Sequence, residues 1–161
     1  ARENAWHAGI SLDVVPGIAE SLPLDSGSVD VVVATMLLCS VADRAAAVKE
    51  MHRILRPGGR LVMVEHVQAP KGSALRLLQT AFNPLQRRVM HGCRLLNDPM
   101  RFVADAPFRE LEAAHFTLGD DGVALGRSGW QTASASGWSP ADGPPPPHFL
   151  LSPHLALIAK A

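Results

Sequence analysis

The sequence lacks several features that would assign it a class at once. It has only two cysteines in 161 residues and no Cys-x-x-Cys pair, which argues against a disulfide framework. No apolar run reaches the roughly 18 residues that a membrane-spanning helix needs, and the first residues have no signal-peptide core. Lysine plus arginine equals aspartate plus glutamate, 15 against 15, so no net field attracts nucleic acid or anionic lipid. We therefore expect a soluble, intracellular chain with a single core.

What the sequence does contain is a strand, helix and strand pattern over residues 22–67. An almost unbroken β-branched run over residues 29–34 predicts a strand that is covered on both faces. Asp43 is a good N-cap, and apolar residues then repeat at helical spacing, namely Ala47, Val48, Met51, Ile54 and Leu55. Pro57-Gly58-Gly59 ends this helix, and residues 61–64 resume a buried strand. The unit is a parallel βαβ step, which indicates an α/β fold.

The remaining elements are predicted from shorter patterns. Residues 11–15 have strand composition, and Asp98-Pro99 begins a short helix. Residues 75–89 repeat apolar side chains every three or four positions, which favours a helix that covers the core over a helix on a membrane surface. Residues 117–147 are rich in glycine, serine and proline and predict a flexible insertion. Residues 1–116 would then form the core domain, and residues 148–161 would return its last strand, at or near a sheet edge.

Candidate functional residues follow the predicted strands, because ligands of parallel sheets bind at strand carboxyl ends. Three groups qualify: residues 17–20, residues 35–40 and the pair Glu65-His66. Glu20 either borders a ligand or is a solvated loop acid, and spacing alone favours the second. Glu65 and His66 offer an acid and an imidazole for proton transfer, although a loop histidine is more often simply hydrogen-bonded. Cys39 has no nearby base that would mark it as a nucleophile.

Two other kinds of site are not predicted. His91 with Cys93 and His148 with His154 suggest metal ligation, but no set of four residues has zinc spacing, so we expect no metal. The Pro-Gly-Gly turn closes a helix, whereas a phosphate-binding glycine loop opens one. The absence of a Gly-x-Gly-x-x-Gly sequence and the Pro-Gly-Gly turn before the later strand disfavour a nicotinamide-dependent oxidoreductase.

An ordered set of motifs resembles a known family. Residues 19–24 (AESLPL), 28–32 (SVDVV) and 50–61 (EMHRILRPGGRL) are similar to class I S-adenosylmethionine-dependent methyltransferases of the type 11 group. A second set of residues resembles the methyltransferase-like seven branch, whose small enzymes are associated with thiol methylation. These are residues 37–41 (LLCSV), 65–67 (EHV), 83–84, 92–93 and 144–147 before Pro153-His154. The resemblance covers nearly the whole chain except residues 117–143.

The resemblance implies a partial Rossmann-like methyltransferase sheet with flanking helices, in the family order 3-2-1-4-5-7-6. Family strands 3 to 7 would correspond to residues 12–15, 29–34, 61–64, 108–116 and 154–160. Strands 1 and 2, with the family's Gly-x-Gly cofactor loop, are absent and would be expected before Ala1. Their absence would leave strand 4 with an unpaired edge, so we expect the chain alone to be marginally stable or to aggregate.

The same resemblance implies S-adenosyl-L-methionine as cofactor and a small molecule, such as a thiol, as methyl acceptor. The implied positions are Gly17, Ala19, Glu20 and Thr35 at the cofactor, Leu38, Cys39 and His66 at the acceptor, and Glu65 and His66 as catalytic candidates. No nucleic acid partner is expected, and relatives in the thiol-methylating branch carry an N-terminal membrane anchor. The alternative hypothesis is a truncated, non-catalytic pseudoenzyme or interaction module that no longer binds the cofactor.

Overall fold

A mixed sheet with helices alongside it forms the centre of the fold. The computed structural model describes residues 2–119, 122–124, 131–133 and 154–161. The elements are α1 (Arg2–His7), β1 (Val29–Thr35), α2 (Arg44–Ile54), β2 (Leu55–His66), α3 (Ala74–Val89), α4 (Pro99–Ala104), β3 (Glu110–Gly119), β4 (Gly122–Ala124), β5 (Gln131–Ala133) and β6 (His154–Lys160). The sheet order is β1-β2-β6-β3-β4, and β5 also pairs with β3.

The strand order agrees with the order that the family resemblance implies. β1 and β2 are parallel, whereas β6 runs antiparallel to both β2 and β3. In family numbering this is 4-5-7-6, so that part of the prediction is confirmed. The last strand was expected at or near a sheet edge. It is not at the edge, because β6 pairs with both β2 and β3 and buries Leu157 and Ala159.

The predicted βαβ unit is present and its helix is capped as expected. The Asp43 side chain accepts a hydrogen bond from the Ala46 amide at 3.0 Å, and the predicted apolar face is buried. The helix ends at Ile54, before the Pro-Gly-Gly sequence, which lies within β2 beside a register shift opposite residues 29–31. A Cβ atom on Gly59 would lie 2.9 Å from the Arg56 carbonyl oxygen. Glycine is therefore required here by the close backbone approach.

One edge of the sheet is formed by β1, which is paired with β2 alone among the described residues. Val31 is 50% exposed and Val33 is 70% exposed, so the prediction of a strand covered on both faces is wrong. The exposed valines lie on the face opposite Ala34, which is buried in the core with α2. This β1 edge is the position next to which the family places its strand 1.

Residues 11–15, predicted as a strand of which residues 12–15 would be family strand 3, form no strand. Leu12, Val14 and Val15 are 43%, 53% and 61% exposed. A strand needs a neighbour for its backbone N–H and C=O groups, and β-branched composition alone does not supply one. The prediction is therefore wrong, because these residues have strand composition but, within the part of the chain that the structure describes, no neighbouring strand with which to pair.

The prediction for the second amphipathic helix is half right. Residues 74–89 do form α3, with Pro84 inside it, but the only side chain of the helix that is buried is that of Gln79. Most of its large apolar side chains are exposed, with Leu77 at 70%, Phe82 at 54% and Leu85 at 58%. The expectation that α3 covers the core is wrong.

The last part of the chain is described only in pieces. The short helix α4 is confirmed, with the Asp98 carboxylate accepting from the Arg101 amide, and residues 108–116 are mostly in β3. Of the predicted insertion over residues 117–147, the structure describes 117–119, 122–124 and 131–133, all in strands. The remainder of the insertion lies outside the described residues.

Candidate functional site

A buried glutamate joins the carboxyl ends of β1 and β2. Leu61, Met63 and Glu65 alternate along the buried face of β2, and Glu65 is fully buried. Its Oε1 atom accepts hydrogen bonds from the amides of Leu37 at 2.6 Å and Leu38 at 2.8 Å, and the Asn97 side chain donates to Oε2 at 3.3 Å. Burial raises the pKa of Glu65, while the backbone hydrogen bonds oppose that shift. The carboxylate therefore fixes the segment that follows β1.

That segment, residues 36–41, is called the β1 loop below. It is also held from outside by two arginines. Arg44 donates to the Leu38 carbonyl at 3.1 Å, and Arg94 donates through its backbone to the Cys39 carbonyl at 2.9 Å and through its guanidinium to the Val41 carbonyl at 2.7 Å. Charge-assisted hydrogen bonds of this kind are among the stronger ones in proteins. The backbone of Cys39 is thus held at a defined position beside β2.

Three side chains that are far apart in the sequence meet beside this loop. Cys39, His66 and Cys93 place their sulfur and ring-nitrogen atoms within 4.8 Å of one another, and they are called the Cys-His-Cys cluster below. His66 Nε2 lies 3.6 Å from Cys93 Sγ and 2.9 Å from the Arg94 carbonyl oxygen. Cys39 and His66 are buried, and Cys93 is partly buried. Burial raises the pKa of the Cys93 thiol, and the neighbouring His66 opposes that shift.

A second group of predicted residues lies at the beginning of α2. Glu20 accepts hydrogen bonds at Oε1 from the amides of Ala42 and Asp43, both at 3.0 Å. These amides, that of Asp43 first, lower the pKa of Glu20. Glu50 of α2 accepts from the Leu22 amide at 2.7 Å, so residues 20–22 are tied to α2 at two points. Glu20 is therefore a tethered acid, and its Oε1 is already occupied.

The predicted site residues differ in how far they are exposed to solvent. Thr35 is exposed at the end of β1, and Gly17 is exposed in the segment before Glu20. Ala19 is partly buried against the core, and Leu38 is completely buried within it. The structure thus brings Cys39, Glu65 and His66 together, while Leu38 lies in the apolar core beside them.

Sequence reasoning considered Cys93 only as a metal ligand together with His91 and rejected that role, and it did not consider Arg94. Cys93 enters from the turn after α3, and its distance of 27 residues from His66 matches no ligand spacing. The signal that was available is the resemblance at residues 92–93, which marked the position without giving it a role.

The comparisons with known proteins find methyltransferases. A family model described as "Methyltransferase domain" matches residues 1–63. Human thiol S-methyltransferase TMT1B is 38% identical over 99 residues, which is 62% of this chain and 40% of that protein. Human thiol S-methyltransferase TMT1A is 36% identical over 89 residues, 55% of this chain and 36% of that protein. The chain thus spans less than half the length of these curated relatives.

Solved structures share the fold at low sequence identity. The YcgJ protein from Bacillus subtilis superposes with a TM-score of 0.59 at 15% identity, covering 99% of this chain and 75% of that one. A methyltransferase from Thermotoga maritima gives a TM-score of 0.58 at 22% identity, covering 98% of this chain and 67% of that one. Within the described residues, no helix combines the length and the apolar character needed to cross a membrane.

Proposed function

We propose that the chain is an S-adenosylmethionine-dependent methyltransferase that acts on a small-molecule thiol, with its Cys39 and His66 edge facing the acceptor. The observation that carries the proposal is the bonding of Glu65 to the Leu37 and Leu38 amides. These bonds fix the β1 loop against the end of β2, which is the edge where α/β folds bind ligands. The named thiol S-methyltransferase relatives supply the acceptor class.

The proposed division of labour follows from where each residue lies. Thr35, Gly17, Ala19 and Glu20 border the cofactor, with Glu20 using the oxygen that its amide contacts leave available. Of the two catalytic candidates, Glu65 acts as a positioning residue, because its carboxylate is buried and already bonded to the β1 loop. His66, whose Nε2 lies 3.6 Å from Cys93 Sγ within the cluster, faces the acceptor.

When bound, S-adenosylmethionine supplies a methyl group that is activated for displacement by a nucleophile. This chain's own residues contribute mainly by holding the acceptor in line with that group. Alignment and proximity alone supply up to about 7 to 11 kcal/mol in well-oriented systems. A rigid β1 loop suits such a role, because a misplacement of about 1 Å costs roughly a hundredfold in rate.

The second candidate is a non-catalytic module. It is favoured by the exposed β1 edge, where Val31 and Val33 face outward, and by the existing engagement of Glu20 Oε1 with α2. On this reading the chain keeps the fold of the family but does not bind the cofactor.

Calorimetric titration of S-adenosylmethionine into the 161-residue chain separates the two candidates. The methyltransferase proposal predicts a saturable heat of binding and the formation of a methyl thioether when a small thiol is added. The module predicts no heat. Thr35→Val and Glu20→Gln should both weaken cofactor binding, whereas Glu50→Gln is the matched control.

The control is informative because Glu50 ties the same segment to α2 through Leu22 but is not among the proposed cofactor residues. Equal losses of cofactor affinity in Glu20→Gln and Glu50→Gln would mean that Glu20 only ties its segment to α2. Undiminished binding in both Thr35→Val and Glu20→Gln would reject the cofactor assignment.

A further inference from the structure

The Cys-His-Cys cluster brings together two thiols and an imidazole that are not part of the apolar core of the sheet. Cys39 comes from the β1 loop, His66 is the last residue of β2, and Cys93 follows α3. Outside the cluster the sulfur atoms have only long contacts. Cys39 Sγ lies 3.3 Å from the Met36 carbonyl oxygen and 3.4 Å from Ser40 Oγ, and the Gln86 side-chain amide lies 3.9 Å from Cys93 Sγ. Three soft or borderline ligands are therefore concentrated at one point.

The distances within the cluster are close to those of a tetrahedral zinc site. Zinc bonds of about 2.3 Å to sulfur and about 2.0 Å to nitrogen put sulfur and nitrogen about 3.5 Å apart, and two sulfurs about 3.8 Å apart. His66 Nε2 and Cys93 Sγ are already 3.6 Å apart, and no pair of ligand atoms exceeds 4.8 Å. Side-chain movements of about 1 Å would complete the geometry.

The surrounding backbone supports such a site. The Arg94 amide donates to the Cys39 carbonyl, so the segments that carry the two cysteines are bonded directly to each other. The Cys93 amide donates to the Met90 carbonyl at 2.9 Å, which fixes the turn after α3. Metal sites depend on this kind of support, since loss of an outer contact typically costs about 10- to 100-fold in affinity.

We propose that Cys39, His66 and Cys93 bind one Zn²⁺ ion through Sγ, Nε2 and Sγ, leaving the fourth position for an external ligand. Three protein ligands with one open position are the arrangement of catalytic rather than structural zinc sites. A small thiol is the external ligand that fits, and this part of the inference rests on the proposed function. His66 then acts on the acceptor through the metal.

The proton balance of metal binding is defined. The two thiols each lose a proton to solvent, and the imidazole moves its remaining hydrogen to Nδ1, giving up the contact between Nε2 and the Arg94 carbonyl oxygen. Binding therefore releases two protons per ion and weakens as the pH falls. No oxidant or reductant is involved.

The test uses metal alone on the tag-free, fully reduced chain. Zn²⁺ is titrated in competition with a chromophoric chelator, and Co²⁺ serves as the spectroscopic probe. We expect one ion per chain, tetrahedral ligand-field bands and thiolate-to-cobalt charge-transfer bands. Cys93→Ser and His66→Gln should each weaken binding at least about tenfold. Cys93→Ser should also halve the thiolate signal.

Two further variants keep the result interpretable. Cys93→His should retain the metal with a one-thiolate spectrum, so that a folding defect in Cys93→Ser does not decide the outcome. His91→Gln, at an exposed position two residues from Cys93, is the matched control and should bind like the parent chain. A cobalt spectrum without thiolate bands, or unchanged affinity in both Cys93→Ser and His66→Gln, would overturn the proposal.

A small thiol added to the cobalt form should convert the two-thiolate spectrum into a three-thiolate spectrum. Failure of that step alone would overturn the assignment of the fourth ligand. None of these measurements needs S-adenosylmethionine, so the failure of the metal site and the failure of the proposed function are distinguishable.

Discussion

The helices α2 and α3 carry the same kind of amphipathic pattern and end up in opposite environments. In α2 the apolar side chains of Ala47, Val48, Met51 and Ile54 are all buried. In α3 the only buried side chain is that of Gln79, and apolar residues such as Phe82 and Leu85 are more than half exposed. A helical apolar stripe therefore predicts the helix but not what the stripe contacts.

What holds α3 in place is polar. The Gln79 side chain, 2% exposed, accepts from the Ala69 amide at 2.7 Å and donates to the Val67 carbonyl at 3.3 Å. Asn83 accepts from the Leu95 amide at 2.9 Å. These contacts join α3 to the segments that leave β2 and lead into α4. The side-chain amides of Gln79 and Asn83 thus fix the helix, and its apolar face stays exposed.

The first way to test this difference is to truncate one apolar side chain in each helix. Met51→Ala should lower the free energy of unfolding by about 2 to 5 kcal/mol, because Met51 is buried against the sheet. Leu85→Ala should change it by no more than about 0.5 kcal/mol, because Leu85 is 58% exposed. Chemical denaturation of both variants gives the two values.

Similar losses in the two variants would break the comparison. They would mean that the apolar face of α3 is buried in solution, for instance against a second copy of the chain. Sedimentation of the parent chain at several concentrations, alongside denaturation, would then show that association.

Sequence reasoning succeeded where neighbouring residues decide the structure. Asp43 as an N-cap and the buried face of α2 follow from local spacing, and both are confirmed. It failed where the partner is distant in the chain. Residues 11–15 have strand composition but form no strand, and the α3 pattern looks like that of α2 although its environment differs.

The candidate site shows the same division. Glu65 and His66 were identified from their position after a strand, but nothing local indicates that Glu65 binds the amides of Leu37 and Leu38. The Cys-His-Cys cluster was missed for the same reason, since its members meet only after the sheet and α3 are in place.

A second test removes the polar anchor of α3. Gln79→Ala leaves the Ala69 amide and the Val67 carbonyl without their buried partner, so we expect a loss of about 1 to 3 kcal/mol in unfolding free energy. Thr80→Ala, at the next and exposed position, is the control and should have little effect. If Gln79→Ala were as mild as Thr80→Ala, the amide would not be what fixes the helix.

The smallest expected effect comes from charge, because only α2 carries an acid that is tied to the rest of the fold. Hydrogen bonds from the Arg53 side chain and then from the Leu22 amide lower the pKa of Glu50 from 4.5 to about 2. A depressed acid contributes stability that is present above its unfolded pKa and is lost as the pH falls through the folded value.

The window of this loss therefore runs from about pH 4.5 down to about pH 2. The Glu50–Arg53 pair lies near the surface, so solvent screening keeps this contribution small. The stability advantage of the parent chain over Glu50→Gln, measured by denaturation, should be present at pH 6 and shrink steadily below pH 4.5. Because the sequence of α3 contains no acid, variants of Arg87 should show no such dependence. An advantage that persists unchanged to pH 2 would show that the carboxylate charge is not what ties Leu22 to α2, and the bond would then be a neutral one.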